Sequence, residues 1–63
     1  MDTNKTETFK RLQKEMGASN SALSSMLGVS VATIEKRRAG RVKIADEVII
    51  AMKYLKGDRN GAL

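Results

Sequence analysis

The chain contains no cysteine and no histidine, and these two absences exclude several classes of site. Without cysteine there is no disulfide and no thiolate ligand. Without histidine the usual imidazole ligand and the usual near-neutral proton carrier are missing. A Ser/His/Asp or Cys/His catalytic constellation therefore cannot form, and a zinc site is nearly impossible. The seven acidic residues show no pairing that indicates a shared magnesium site, so we expect no enzyme activity, no metal and no cofactor.

The length and net charge of the chain narrow the remaining classes of function. The 63 residues allow one small domain over 1–63, and such a chain buries only about 60% of its unfolded surface. With no disulfide or metal, self-association is the remaining source of stability. Twelve Lys and Arg against seven Asp and Glu give a net charge of +5, which favours a polyanion as the partner. So short a fold has little room for a small-molecule pocket.

Long apolar segments are also missing. The first six residues are polar, and no apolar segment typical of a signal peptide follows them. The longest apolar run, residues 48–52, is far shorter than the roughly 18 residues that span a bilayer. We therefore expect a cytoplasmic protein with no membrane partner.

Proline is absent, and four of the five glycines stand where helices would have to end. Each follows a segment with helical periodicity, where a left-handed C-terminal cap is expected. These four are Gly17, Gly28, Gly40 and Gly57. The segments between them predict an all-α fold of four helices, with an ordered core over about 5–56 and a flexible tail over 58–63.

Polar residues before these segments predict where the helices begin. Asn4 and Glu7 resemble a capping box, Ser19 and Ser30 are good N-caps, and the fourth helix is expected from about Ala45 to Lys56. Apolar residues at helical spacing predict the core. They are Phe9, Leu12, Met16, Leu23, Leu27, Ile34, Val48, Met52 and Leu55.

The stretch from Asn20 to Gly40, NSALSSMLGVSVATIEKRRAG, predicts two helices joined by a tight turn. Steep packing of two such helices needs small, apolar or glycine residues at set positions. Those positions are filled by Leu23, Ser24, Leu27, Gly28, Val29 and Ile34. The stretch resembles the helix-turn-helix of the lambda-repressor/Cro-like (XRE) family, and with the first helix and the loop into the fourth the resemblance covers about residues 5–56.

The resemblance implies a compact four- to five-helix lambda-repressor-like domain that binds operator DNA as a dimer and regulates transcription. Three positions depart from the family pattern. Asn20 stands where members usually have a phosphate-binding glutamine, although it is still a donor. Arg37 replaces an aromatic or aliphatic residue, and Ala45 stands where many members have proline.

The second helix of the motif, over about 30–39, is the predicted recognition helix. With Ile34 pointing inward, a helical wheel places Ala32, Thr33 and Lys36 on the exposed face and Val31 nearer the buried side. Since a recognition helix enters the major groove with its N-terminal residues towards the bases, Lys36 is the candidate for guanine O6 and N7. Val31, Ala32 and Thr33 suit the methyl groups of thymine. Lys36 as a phosphate ligand or a solvated lysine is the alternative.

Five cations within eight residues, with no acid among them, follow the motif closely; they are Lys36, Arg37, Arg38, Arg41 and Lys43. We interpret this cluster as an electrostatic footprint for DNA, against the alternative of a solvated basic loop. The predicted phosphate contacts are Asn20, Ser30, Arg37, Arg41 and Lys43.

Three side chains in or beside this cluster have alternative roles. Arg37 could instead pack its stem over the core. Arg38 is expected to extend along the surface or to pair with a carboxylate such as Glu15 or Glu35, with direct contact to DNA as the alternative. Glu35 is expected to point away from the DNA rather than to accept from a cytosine amine.

Ile50 and Tyr54, four residues apart, form a second apolar stripe on the fourth helix and are the predicted homodimer contact. The alternative is a larger core or scattered exposed apolar residues. A dimer would place two recognition helices about 34 Å apart, one turn of DNA.

We therefore expect a sequence-specific, dimeric repressor on an inverted repeat, of bacterial or phage origin and associated with the nucleoid. Its size resembles that of Cro proteins and of the repressors found beside anti-CRISPR genes. A protein-interaction module, such as an antitoxin or adaptor, and a non-specific architectural DNA binder are the alternatives.

Overall fold

The computed structural model describes the backbone of residues 3–61 and the side chains of residues 4–57. Within that range the chain forms four helices and no strand. They are α1 (Thr3–Met16), α2 (Asn20–Leu27), α3 (Val31–Arg38) and α4 (Asp46–Gly61). The predicted all-α class and the number of helices are confirmed.

The predicted limits of the two central helices are confirmed by their caps. The Ser19 hydroxyl accepts from the Ala22 amide at 3.0 Å, and the Ser30 hydroxyl accepts from the Thr33 amide at 3.2 Å. Each bond satisfies an amide that has no partner inside the helix. At the other ends, Gly28 has φ +71° after α2 and Gly40 has φ +73° after α3. Each of the two helices is therefore preceded by a serine N-cap and followed by a left-handed glycine, as the sequence predicts.

Two predicted boundaries are wrong. Because α1 begins at Thr3, Asn4 lies inside the helix and cannot be its N-cap. Gly57 does not end α4, which continues to Gly61. A glycine inside a helix costs about 1 kcal/mol but does not prevent helix formation. The backbone of 58–61, where a flexible tail is predicted, continues α4, and residues 62 and 63 lie outside the described part.

The core is built from all four helices and one loop. Five side chains are fully buried: Phe9, Leu23, Ile34, Ile44 and Met52. Leu12 and Met16 join them, while Leu27, Val48 and Leu55 pack at the edge and stay half-buried. Ile44 is a core residue that helical periodicity could not predict, because it lies in the loop between α3 and α4.

Packing of α1 determines the position of the other elements. It lies against both α3 and α4, while α2 packs on α3. Two ion pairs also join α1 to α4: Lys5 Nζ lies 2.7 Å from an Asp46 carboxylate oxygen, and Lys56 Nζ lies 2.9 Å from one of Glu15. The α2–α3 pair is thus held on one side of α1, and its outer surface is open to a partner.

Two glycines in contrasting backbone conformations give a matched stability test. Neither Gly28 nor Gly57 has an atom within 4 Å of where a Cβ would lie, so alanine clashes at neither site. Gly28→Ala forces a side chain into the left-handed region and should lower the free energy of unfolding by about 1 kcal/mol or more. Gly57→Ala should raise it by about 0.5 to 1 kcal/mol, because alanine is the better helix former. Urea unfolding followed by circular dichroism measures both, and shifts of the same sign would contradict these backbone assignments.

Candidate nucleic-acid interface

The orientation of α3 is determined by a single buried side chain. Ile34 is completely buried in the core, and Val29, just before the helix, packs against the same cluster. Ser30 caps the helix and its hydroxyl also lies 3.0 Å from that of Thr33. The rest of the helix surface faces outward or lies at the edge of the domain.

The exposed side of α3 largely matches the wheel prediction, with one correction. Ala32 and Lys36 are exposed and Thr33 is half-buried. Val31, expected nearer the buried side, is 38% exposed. It is the first residue of the helix, so no preceding turn of α3 covers it. All four candidate base-contact residues therefore have surface that a partner could reach.

The end of α3 and the loop after it carry a group of cations. Lys36, Arg41 and Lys43 are exposed and Arg37 is half-buried. The turn is closed by two backbone bonds, from Gly40 N to Arg37 O at 3.2 Å and from Arg41 N to Lys36 O at 3.0 Å. This Schellman-type ending needs the positive φ of Gly40 and directs the basic loop away from the helix axis.

Acidic partners lie elsewhere in the described part of the chain. Glu7 pairs with Lys10 at 3.4 Å, and Glu15 lies 3.8 Å from Arg11 in addition to its contact with Lys56. Together with Lys5 and Asp46, these pairs neutralise charge on α1 and α4. Between residues 4 and 57, no carboxylate lies within ion-pair distance of the α3 cations. The cations of α3 and its loop therefore form a group whose charge no carboxylate of that range matches.

The ion pairs between α1 and α4 perturb two carboxylates. A hydrogen bond from Lys56, with further attraction from the Lys56 and Arg11 charges, holds the pKa of Glu15 below 4.5. A hydrogen bond from Lys5 and its charge lower the pKa of Asp46 below 3.8. Each interaction favours the ionised carboxylate in the folded state.

A buried glutamine that the sequence analysis did not single out links three helices. Gln13 is 4% exposed; its Nε2 donates to Asn20 Oδ1 at 2.8 Å and to the Ala18 carbonyl at 3.0 Å. Its Oε1 accepts from Arg38 Nη1 at 2.8 Å. The burial of Gln13 could have been predicted from the sequence, because it lies four residues after Phe9 and three before Met16, on the buried stripe of α1.

These contacts correct one prediction and refine another. Arg38 bonds to the Gln13 amide instead of pairing with Glu15 or Glu35. Asn20 uses its oxygen toward Gln13, so its amide nitrogen is the group that can donate to a phosphate. Glu35 is exposed and forms no ion pair with any residue between 4 and 57.

A second surface lies between α2 and α4. Ile50 is 64% exposed and Tyr54 is 72% exposed, so neither belongs to the core. They line an open, mostly apolar groove, whose other side chains include Met26 and Leu27 from α2. The predicted second apolar stripe of the fourth helix is confirmed as a surface feature, and α2 contributes to it.

The described residues contain neither a candidate metal site nor a helix that could span a membrane. Among the side chains of residues 4–57, no group of three or more carboxylates could hold a metal ion. None of the four helices, as far as they are described, has the length and apolar character needed to cross a bilayer. No family model, curated protein or solved structure matches the chain.

The lowered pKa values of Glu15 and Asp46 predict how stability depends on pH. Ionised carboxylates bind Lys56 and Lys5 in the folded state, so their contribution is complete at pH 7. It is lost as the pH falls below about 4.5 and through the folded-state pKa values. Glu15→Gln should therefore lower the urea midpoint at pH 7 and reduce its dependence on pH.

Glu35→Gln is the matched control, because Glu35 has no ion pair among the described residues. Its urea midpoint should follow that of the wild type from pH 7 to pH 3 in low salt. A pH dependence unchanged by Glu15→Gln would contradict the assigned role of the pair with Lys56.

Proposed function

We propose that this protein is a sequence-specific DNA-binding regulator of transcription that acts as a homodimer. The observation that carries the proposal is the α2–α3 pair, in which Ile34 anchors a short helix whose exposed face and following loop hold cations with no acidic partner between residues 4 and 57. Such a helix fits the major groove of B-DNA, where base edges differ in their pattern of donors and acceptors. The lambda-repressor-like arrangement expected from the motif is part of this proposal.

Base recognition comes from the first six residues of α3, from Val31 to Lys36. Lys36 reaches guanine O6 and N7, and Val31, Ala32 and Thr33 contact the methyl groups of thymine. Support for these roles comes from the exposure of Ala32 and Lys36 on the face opposite the buried Ile34, and from the accessible surface of Val31 and Thr33 beside that face. An inverted-repeat operator follows if two copies present this helix to successive turns of the groove.

Phosphate contacts position the helix over the bases. Ser30 provides a donor at the start of α3, and Asn20 provides one at the start of α2, near the other end of α3. Arg37, Arg41 and Lys43 supply positive charge beyond the other end of α3. Contacts of this kind strengthen binding to any sequence, whereas the exposed face of α3 selects among sequences.

The apolar groove is the proposed dimer contact. Ile50 and Tyr54 are large, exposed and adjacent on α4, and the groove continues onto α2. In a domain of 63 residues, burial of this surface against a second copy adds apolar area that the single chain cannot bury. We propose that the dimer, in the cytoplasm of a bacterium or phage-infected cell, represses transcription by occupying its operator.

Selection of bound duplexes from a random pool tests the function. The wild type should enrich one motif at physiological salt. On that motif, Lys36→Ala should lose about 10- to 100-fold in discrimination at a single base pair, the value of one good contact to guanine. Lys53→Ala, which removes an exposed lysine of α4, is the control and should retain the wild-type preference.

Affinity measured against salt completes that experiment. If a dimer neutralises about eight phosphates, the logarithm of the binding constant falls against the logarithm of salt with a slope of about −7. Failure to enrich any motif would refute sequence-specific recognition. An equal loss on every sequence after Lys36→Ala would indicate an architectural binder. A slope near zero would refute the phosphate contacts of Arg37, Arg41 and Lys43. A co-purifying partner protein, with DNA affinity unchanged by Lys36→Ala, would favour a protein-interaction module.

The dimer contact has its own test. Ile50→Ser together with Tyr54→Ser should shift the protein from dimer to monomer in sedimentation equilibrium, because the exposed apolar area of the groove is removed. Val42→Ser is the matched control, since Val42 is a 39% exposed apolar residue of the loop outside the groove. A dimer that persists in the double variant would refute this interface.

A further inference from the structure

The hydrogen bonds of Gln13 determine the direction of its amide group. A glutamine amide has two N–H donors and one carbonyl oxygen. Here both donors face oxygen atoms, of Ala18 and Asn20, and the oxygen faces the guanidinium of Arg38. The reversed amide would place its oxygen against two acceptors and its nitrogen against a cation, so only one orientation satisfies all three partners.

That orientation also determines what Asn20 presents. Its Oδ1 is held by Gln13 at 2.8 Å, so its Nδ2 points elsewhere, and no partner for Nδ2 is found between residues 4 and 57. An amide nitrogen only donates, which suits an anion and not a cation. Gln13 thus makes Asn20 an outward donor.

Arg38 is held by the same glutamine without loss of its charge. One N–H, on Nη1, is bonded to Gln13, while the guanidinium carries five donors in a planar fork. The charges of Lys5 and Lys56 are matched by carboxylates, but the amide of Gln13 is neutral. Arg38 therefore keeps a full positive charge and free donors in a fixed place, as bidentate recognition of a phosphate requires.

Asn20 and Arg38 line one open groove, between α1 and the ends of α2 and α3 that lie nearest to it. Lys10, Arg11 and Lys14 of α1 also line it, and Glu7 is the one carboxylate among its described lining residues. Lys10 is paired with Glu7 and Arg11 with Glu15, so Lys14 and Arg38 are the cations of the groove that have no carboxylate partner between residues 4 and 57.

We propose that Gln13 is a positioning residue, and that it orients Asn20 and Arg38 as a clamp for one phosphate of the DNA backbone in each protomer. This role rests on the proposed function. Gln13 itself is buried and does not touch the DNA. A purely structural role, joining α1 to α2 and α3, would predict no change in how binding depends on salt.

Gln13→Glu tests the clamp, because a carboxylate still accepts from Arg38 but neutralises its charge and cannot donate to Asn20. The affinity for DNA should fall by about 10-fold or more. The salt slope should decrease in magnitude by about 2, since each dimer loses two phosphate contacts. Lys53→Gln is the control for charge, because it lowers the net charge by the same unit outside the groove and should leave the slope near the wild-type value.

Asn20→Asp keeps the test decisive if Gln13→Glu fails to fold, which circular dichroism reports. Aspartate still accepts from Gln13 but has no donor for a phosphate, so affinity should fall about 10-fold or more with the fold intact. Wild-type affinity in folded Asn20→Asp, or reduced affinity with an unchanged salt slope in folded Gln13→Glu, would overturn the clamp.

The probes are the duplex enriched by the wild type and one duplex of random sequence. Phosphate contacts do not read sequence, so both clamp variants should weaken the two duplexes by the same factor. Lys36→Ala should instead change the ratio between them. If the wild type prefers no sequence, the proposed function fails, whereas the clamp is still tested on the random duplex, where either of the two outcomes just named would overturn it.

Discussion

Burial of Ile34 is the constraint on which the arrangement of α3 depends. It is the one side chain of this eight-residue helix that is fully buried, and it inserts where α1, α2 and α4 supply the rest of the core. A short helix held at one point can expose nearly all of its remaining surface. The contact area of α3 with the core is small, so the serine cap before the helix and the glycine turn after it stabilise its two ends. The helix can therefore present side chains to a partner while remaining part of the fold.

Charge is distributed to match that exposure. The carboxylates of Glu15 and Asp46 bind cations across the contact between α1 and α4, while Glu7 pairs with Lys10 within α1. The cations of α3 and its loop have no such partners among the described residues. Exposed ion pairs contribute little to stability individually. Their larger consequence here is that the field of the protein becomes one-sided, which favours a polyanion approaching α3.

Much of this fold could be predicted from local signals. Ser19, Ser30, Gly28 and Gly40 act on the few residues next to them, so their caps form wherever the chain is placed. Gly57 shows the limit of such reasoning, because a glycine may end a helix or be carried through one at a cost of about 1 kcal/mol. The predicted capping role of Asn4 is wrong for a related reason: a residue that could cap a helix does so only if the helix begins there.

The sequence by itself determined the helices, the apolar stripes and the excess of positive charge, because each depends on spacing or composition that is complete within a few residues. Only the tertiary structure decided the partner of Arg38, the burial of Ile44 and the exposure of Val31. Gln13 and Arg38 are 25 positions apart and meet because α1 and α3 pack together. Whether Arg38 binds a carboxylate or a neutral amide, and so keeps its charge for a partner, depends on that packing and not on the residues beside it.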